Sequence, residues 1–219
     1  MCVPRVAATG HHSKKKTLIP AEQLQPDVIA ERTAWEAKIL GIDPSRFVFL
    51  DEANAKTNMT RLYGRALCGQ RVNDYQSDAR WSSTTMLAAV NWHGAGPCLT
   101  YSGGTDVAAM LTFVEQLLAP TLGPENIVVM DNLSSHKHPS VIAAIEATGA
   151  KVWFQPRYSP DYNPIEKMWS KVKAILRKIS ARTTESLLAA IGEALKSITA
   201  SDAQNWFRHC GYLNPNTDT

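Results

Sequence analysis

The sequence has no long hydrophobic run. Its longest apolar stretches, such as Phe47-Val48-Phe49-Leu50, fall far short of the ~18–20 residues that cross a bilayer. It has no hydrophobic segment ahead of its Lys14-Lys15-Lys16 run, so no secretory signal is expected. Its only cysteines, Cys2, Cys68, Cys98 and Cys210, form no Cys-x-x-Cys pair. That excludes a zinc ribbon or a disulfide framework, and the four read as free thiols in a reducing cytosol. Charge of one sign is also missing: 23 Lys and Arg face 20 Asp and Glu, a net +3. A histone-like polycation is excluded, but a local basic face is not. No internal repeat or low-complexity tract is present. What remains is an ordinary globular composition, 44% hydrophobic over 219 residues, enough for one domain with a buried core, or one domain plus an appendage.

The pattern alternates. Residues 1–26 are polar and broken by Pro4, Pro20 and Pro26, and read as an arm with His11, His12 and the lysine triplet. A helix is expected over 27–40, closed by Gly41, and then a buried strand from Arg46 to Asp51. Residues 52–80 are turn-rich. A hairpin is expected from strands 82–92 and 98–101, joined by His93-Gly-Ala-Gly-Pro97. Thr105 is expected to cap a helix over 106–118. Strands 126–131 and 151–155 flank a helix over 139–148. Three helices close the chain, over 164–179, from 184 to about 198, and from Ser201, where Ser201-Asp-Ala-Gln204 reads as a capping box. A hairpin followed by alternating helices and strands predicts a mixed α/β sheet flanked by helices, with parallel neighbours after residue 105.

Two buried-type strands run into the same residue, Asp51 and Asp131. An acid at the carboxyl end of a buried strand lies where α/β proteins place their chemistry, although Asp is also a common turn former. A third acid, Glu166, opens the helix over 164–179. On a helical wheel it lies at the border of the buried stripe of Ile165, Met168, Trp169, Val172, Ile175, Leu176 and Ile179. A first-turn acid also complements the helix dipole. Residues 151–182 carry eight basic and two acidic side chains, so the whole net charge and more is concentrated there. Arg157, Lys167, Lys171, Lys173, Arg177 and Lys178 are the candidates for phosphate contact, with a solvated helix face as the plainer reading. Converging carboxylates repel, and a hard divalent ion such as Mg²⁺ or Mn²⁺ relieves that repulsion. Two such ions suit phosphodiester cleavage.

Three blocks carry a family resemblance. Phe49-Leu50-Asp51-Glu52, Val129-Met130-Asp131-Asn132-Leu-Ser-Ser-His136-Lys137 and Tyr158-Ser159-Pro160-Asp161-Tyr162-Asn163-Pro164-Ile165-Glu166 resemble the three blocks of DDE transposases, in the bacterial insertion-sequence branch of the Tc/mariner superfamily. The 34 residues between Asp131 and Glu166 match that family's spacing. Lys56-Thr-Asn-Met-Thr-Arg61-Leu-Tyr-Gly-Arg65 and Trp206-Phe-Arg-His-Cys-Gly-Tyr212 are also similar to it.

The resemblance implies a ribonuclease H-like fold, and Asp51, Asp131 and Glu166 as a catalytic triad holding two Mg²⁺ ions, with Mn²⁺ as substitute. It implies cleavage at transposon ends and transfer of the 3′-hydroxyl into TA-containing target DNA. Asn132, His136 and Asn163 match motif positions and are expected to orient the acids or touch phosphate, or to serve only as turn or cap residues. The expected partners are DNA, further copies of the chain, and a separate helix-turn-helix chain, because the family's recognition region is not seen ahead of the arm. The expected location is cytoplasmic and nucleoid-associated. Residues 1–43 are read as arm and helix, 44–180 as the catalytic domain and 181–219 as a helical extension. The competing expectation is a non-catalytic fragment that binds DNA or full-length transposase and regulates transposition.

Overall fold

The structure, a computed structural model, describes residues 20–74 and 81–213; the expectations for His11, His12 and the lysine triplet lie outside them. Helix α1 (Pro26–Ile39) leads into β1 (Phe47–Lys56), β2 (Ser83–Asn91) and β3 (Gly94–Tyr101). Then come α2 (Val107–Phe113), β4 (Ile127–Met130), α3 (Pro139–Glu146), β5 (Lys151–Phe154), α4 (Pro164–Ile179), α5 (Thr184–Lys196) and α6 (Ala200–His209). The five strands form one sheet in the order β3-β2-β1-β4-β5. β1, β2 and β3 pair antiparallel, while β1, β4 and β5 run parallel. This is the mixed, ribonuclease H-like sheet flanked by helices that the sequence predicts.

Side chains alternate across the sheet with period two. Phe47, Phe49, Ile127 and Val129 pack on one face with Trp35, Ile165, Trp169, Ile191 and Phe207, so α1, α4, α5 and α6 share a single core with the sheet. Phe49 meets Phe207 and Tyr212 edge-on at 5.3 and 5.1 Å between ring centres. Val48, Leu50, Val128 and Met130 face the other way, onto α2 and α3.

Several boundaries differ from expectation. β1 does not stop at Asp51. Its parallel pairing with β4 ends at Phe49↔Val129, but the antiparallel pairing with β2 continues to Lys56↔Ser83. The apolar run stops because one neighbour stops, not because the strand does. Gly94-Ala-Gly-Pro97 is not a turn but the start of β3. The reversal is the tight Trp92-His93 pair, where Asn91 Oδ1 accepts the His93 amide at 2.9 Å. Gly96 lies so close to Ala89 that a Cβ there would sit 3.3 Å away, and Pro97 is tolerated because β3 is an edge strand. Asp106, not Thr105, caps α2, and that helix passes into a π-helical turn over Val114–Leu118. The capping box of α6 is Thr199 with Asp202, not Ser201 with Gln204. Thr199 accepts the Asp202 amide, and Asp202 Oδ2 accepts the Thr199 amide at 2.9 Å.

Candidate active site

The sheet register brings the two aspartates level. β1 and β4 pair Phe47↔Ile127 and Phe49↔Val129, a constant offset, so continuing it two residues sets Asp51 beside Asp131. Both share the parity of residues that face α4. Each lies just past the last parallel pair, where β1 and β4 stop bonding to each other and leave an opening at the carboxyl edge.

The segment from 156 to 166 delivers the third acid, and nearly every residue in it has an identifiable task. Arg32 of α1 donates to Ser159 Oγ at 2.8 Å and forks onto both oxygens of Asp161 at 3.0 and 2.6 Å. Its guanidinium also lies 4.3 Å above the Tyr162 ring. The Tyr162 hydroxyl donates to Glu36, and its carbonyl accepts from Gln155 Nε2 at 3.1 Å and the Tyr212 hydroxyl at 2.9 Å. Asn163 then caps α4, accepting the Ile165 amide at 3.4 Å, with Pro164 in the first turn where its missing N–H costs nothing. Ile165 is fully buried, which turns the next residue, Glu166, toward the sheet edge.

Asp51, Asp131 and Glu166 line one cleft of about 450 Å³, together with Asn132, Gln155, Asn163 and the 156–160 loop. Burial pushes the Asp51 carboxyl up to about 7; the Glu52 amide opposes this, and the charges of Glu166, Glu52 and Asp131 reinforce it. Asn163 Nδ2 lies 3.4 Å from Asp51 Oδ2. Asp131 Oδ1 accepts the Leu133 amide at 2.9 Å and His136 Nδ1 at 2.6 Å. Burial raises the Asp131 carboxyl, but the His136 bond and that amide outweigh it, and the net shift is downward. His136 is fully buried with its Nε2 3.2 Å from Glu52 Oε2. Burial opposes its charge, yet Asp131 and Glu52 hold it protonated, pushed up to about 9.

The donor set fits a hard divalent ion: carboxylate oxygens around an open, water-accessible cleft, one of them pushed up to about 7 by burial first and by neighbouring carboxylates after it. As the side chains stand, no three His, Cys, Asp or Glu among the described residues are drawn together on one point. Asp131 is turned toward His136 and the Leu133 amide.

The other candidates divide. Asn132 Nδ2 donates to the Gln155 carbonyl at 2.7 Å, bracing β4 to β5 at the cleft wall. Arg157 is taken up by α1, bonding Glu31 at 2.8 Å and pairing with Asp27. Lys171 turns to α6 and pairs with Asp202 at 2.6 Å. Lys173 and Arg177 follow Glu166 along one side of α4 and line a second hollow with Asn54, Lys56 and Thr60. Lys167 is half-buried and Lys178 is exposed on the same helix.

Glu52, Gln155 and Arg32 are further site residues that the sequence alone leaves without a role. Glu52 was detectable from strand parity, which sets it opposite to Asp51. Gln155 carried the signal of a lone amide ending an apolar strand. The Arg32–Asp161 pair spans 129 residues and leaves no local pattern.

A sequence-family model described as DDE superfamily endonuclease matches residues 46–188. No curated protein matches the chain. Among solved structures, the Mos1 mariner paired-end complex with Mn superposes with a TM-score of 0.76 at 18% identity, covering 92% of this chain and 64% of that one. The Mos1 transposase paired-end complex with left transposon end gives 0.75 at 17%, covering 93% and 64%. The catalytic domain of Mos1 mariner transposase gives 0.62 at 14%, covering 90% and 93%. At these identities the likeness is one of fold, and the chain spans about 64% of the length of the first two.

Proposed function

The chain belongs to the DDE superfamily of endonucleases, and from that premise we propose that it is the catalytic part of a Tc/mariner-type DNA transposase, of the bacterial insertion-sequence branch. The observation that carries the reading is the shared cleft of Asp51, Asp131 and Glu166, built by three separate segments on one sheet edge. Asp51, Asp131 and Glu166 would hold two Mg²⁺ ions, or Mn²⁺ in their place. When bound, these ions supply Lewis-acid activation of water and of the scissile phosphate.

The chain's own groups do the rest. Asp51, pushed up to about 7 chiefly by burial, would hold a cation in its ionised form. His136, held protonated, fixes the rotamer of Asp131 through a charge-assisted bond. Asn163 ties the start of α4 to Asp51 and so sets the separation of the first and third acids. Lys173 and Arg177 offer phosphate contacts on the Glu166 side. The reaction is cleavage at transposon ends and attack of the 3′-hydroxyl on TA-containing target DNA, in the cytoplasm at the nucleoid. Proposed partners are DNA, further copies of the chain and a helix-turn-helix chain. The catalytic unit takes 44–180, with 1–43 as arm and helix and 181–219 as helical extension. Incubation with terminal-repeat DNA, a helix-turn-helix fragment and Mn²⁺ tests this: nicking lost in Asp131→Ala supports it, and no nicking by the wild type overturns it.

A further inference from the structure

A second cleft of about 460 Å³ adjoins the acidic one and shares Asn132, Gln155, Pro156 and Arg157 with it as a common wall. Its far side is one stripe of α1, with Glu31, Ala34, Trp35 and Lys38 at helical spacing. Lys137 and Phe154 complete it, at the open edge of the sheet.

The chemistry of this cleft is cationic and aromatic together. Lys38 Nζ stands 3.7 Å over the Trp153 ring, and Lys137 Nζ stands 5.5 Å from the centre of Phe154. Neither lysine forms an ion pair with a described residue. The acid present, Glu31, is already bonded by Arg157. Both ammonium groups thus lie against ring faces without an ion pair, Lys137 also feeling the charge of Asp131 in the next cleft. Partial burial lowers the Lys38 pKa, as for a cation that has given up water without gaining an anion. Beside the carboxylate cleft, neither cation has an ion-pair partner among the described residues. A polyanion entering that cleft supplies one.

We infer that this cleft is a subsite for the sugar–phosphate backbone of the DNA flanking the bond cut next door, with Lys38 and Lys137 each contacting a phosphate. The inference rests on the reading of the acidic cleft as the place of cutting. Arg157, tied to α1, forms the wall between the two clefts and is not one of the contacts.

The test is the salt dependence of binding to a short nicked DNA duplex, measured with the full chain between ~50 and ~200 mM salt. Each phosphate contact contributes roughly 0.9 to the slope of log K against log salt. The Lys38→Ala/Lys137→Ala double variant should lower that slope by about 1.8 and weaken binding by at least about tenfold at moderate salt. Lys151→Ala, an exposed charge at the other end of β5, should leave both within error. Circular dichroism melts of the same samples establish that the variants are folded. A slope unchanged by the double variant, or lowered equally by Lys151→Ala, overturns the subsite. Mn²⁺-dependent nicking is followed on the same samples. Loss of the subsite with nicking intact leaves the cutting reading standing, and absent nicking with the slope effect present does the reverse.

Discussion

Asn163 joins the acid on β1 to the helix that carries Glu166: its Nδ2 lies 3.4 Å from Asp51 Oδ2, while its Oδ1 accepts the Ile165 amide in the first turn of α4. A single buried amide therefore performs two separable tasks. Asn163→Ser keeps a cap acceptor and removes the donor. It should unfold within about 0.5 kcal/mol of wild type yet nick DNA roughly tenfold more slowly. Asn163→Ala should lose both, at a cost of about 1–2 kcal/mol in denaturant unfolding.

Asp51 should make the metal-free protein less stable as pH rises. Its folded pKa, about 7, lies above the ordinary 3.8, so the folded state holds the extra proton between those values. Stability then falls as pH climbs from about 4 to 7, because the unfolded state releases that proton first. Asp51→Asn should raise Tm at pH 8 by roughly 3–6 °C, about 1–2 kcal/mol in a domain of this size. The gain should vanish near pH 4. Mn²⁺ should raise the Tm of the wild type and have little effect on the variant.

His136 shifts in the same direction but at higher pH, and here the charged form is the stabilising one. Its folded pKa of about 9 lies above the ordinary 6.5, so its contribution is whole below 6.5 and is lost as pH passes 9. His136→Ala should cost about 3 kcal/mol near pH 6.5, since Glu52 and Asp131 lose a shared partner. The gap between wild type and variant should narrow by pH 9.5 in urea unfolding.

The layout of the fold was legible in the sequence because each signal was local. The apolar runs before Asp51 and Asp131 announced strands, and Pro164 with the seven-residue apolar stripe announced α4. What was not legible depended on distant partners. The continuation of β1 to Lys56 is written in β2, through pairs such as Ala53↔Met86 and Ala55↔Thr84. The α6 cap at Thr199 is an exception, since Thr199-Ala-Ser-Asp202 is a local box that competes with Ser201-Asp-Ala-Gln204, and Lys171 adds a distant partner to Asp202. The same holds at the site. The acids were visible as strand and helix ends, but Arg157 and Lys171 looked like free cations until α1 and α6 supplied their carboxylates.

The Lys171–Asp202 pair gives a prediction at the far end of α4. Asp202 is held down to about 2, chiefly by the Lys171 hydrogen bond and then by the Thr199 amide. Its stabilisation is present above the ordinary 3.8 and fades as pH falls toward 2. Asp202→Asn should cost about 1 kcal/mol at pH 7, and the difference should be gone at pH 2 or below. DNA affinity should be unaffected, because Lys171 faces α6 and not the cleft.

The central claim is that Asp51, Asp131 and Glu166 act together on a phosphodiester. It is tested most directly by nicking of supercoiled plasmid in Mn²⁺, comparing wild type with Asp51→Asn, Asp131→Asn and Glu166→Gln. Metal-dependent nicking is expected of the wild type, with a loss of at least about a thousandfold in each variant. Wild-type rates retained in any one of the three, or nicking undiminished by a chelator, would contradict it.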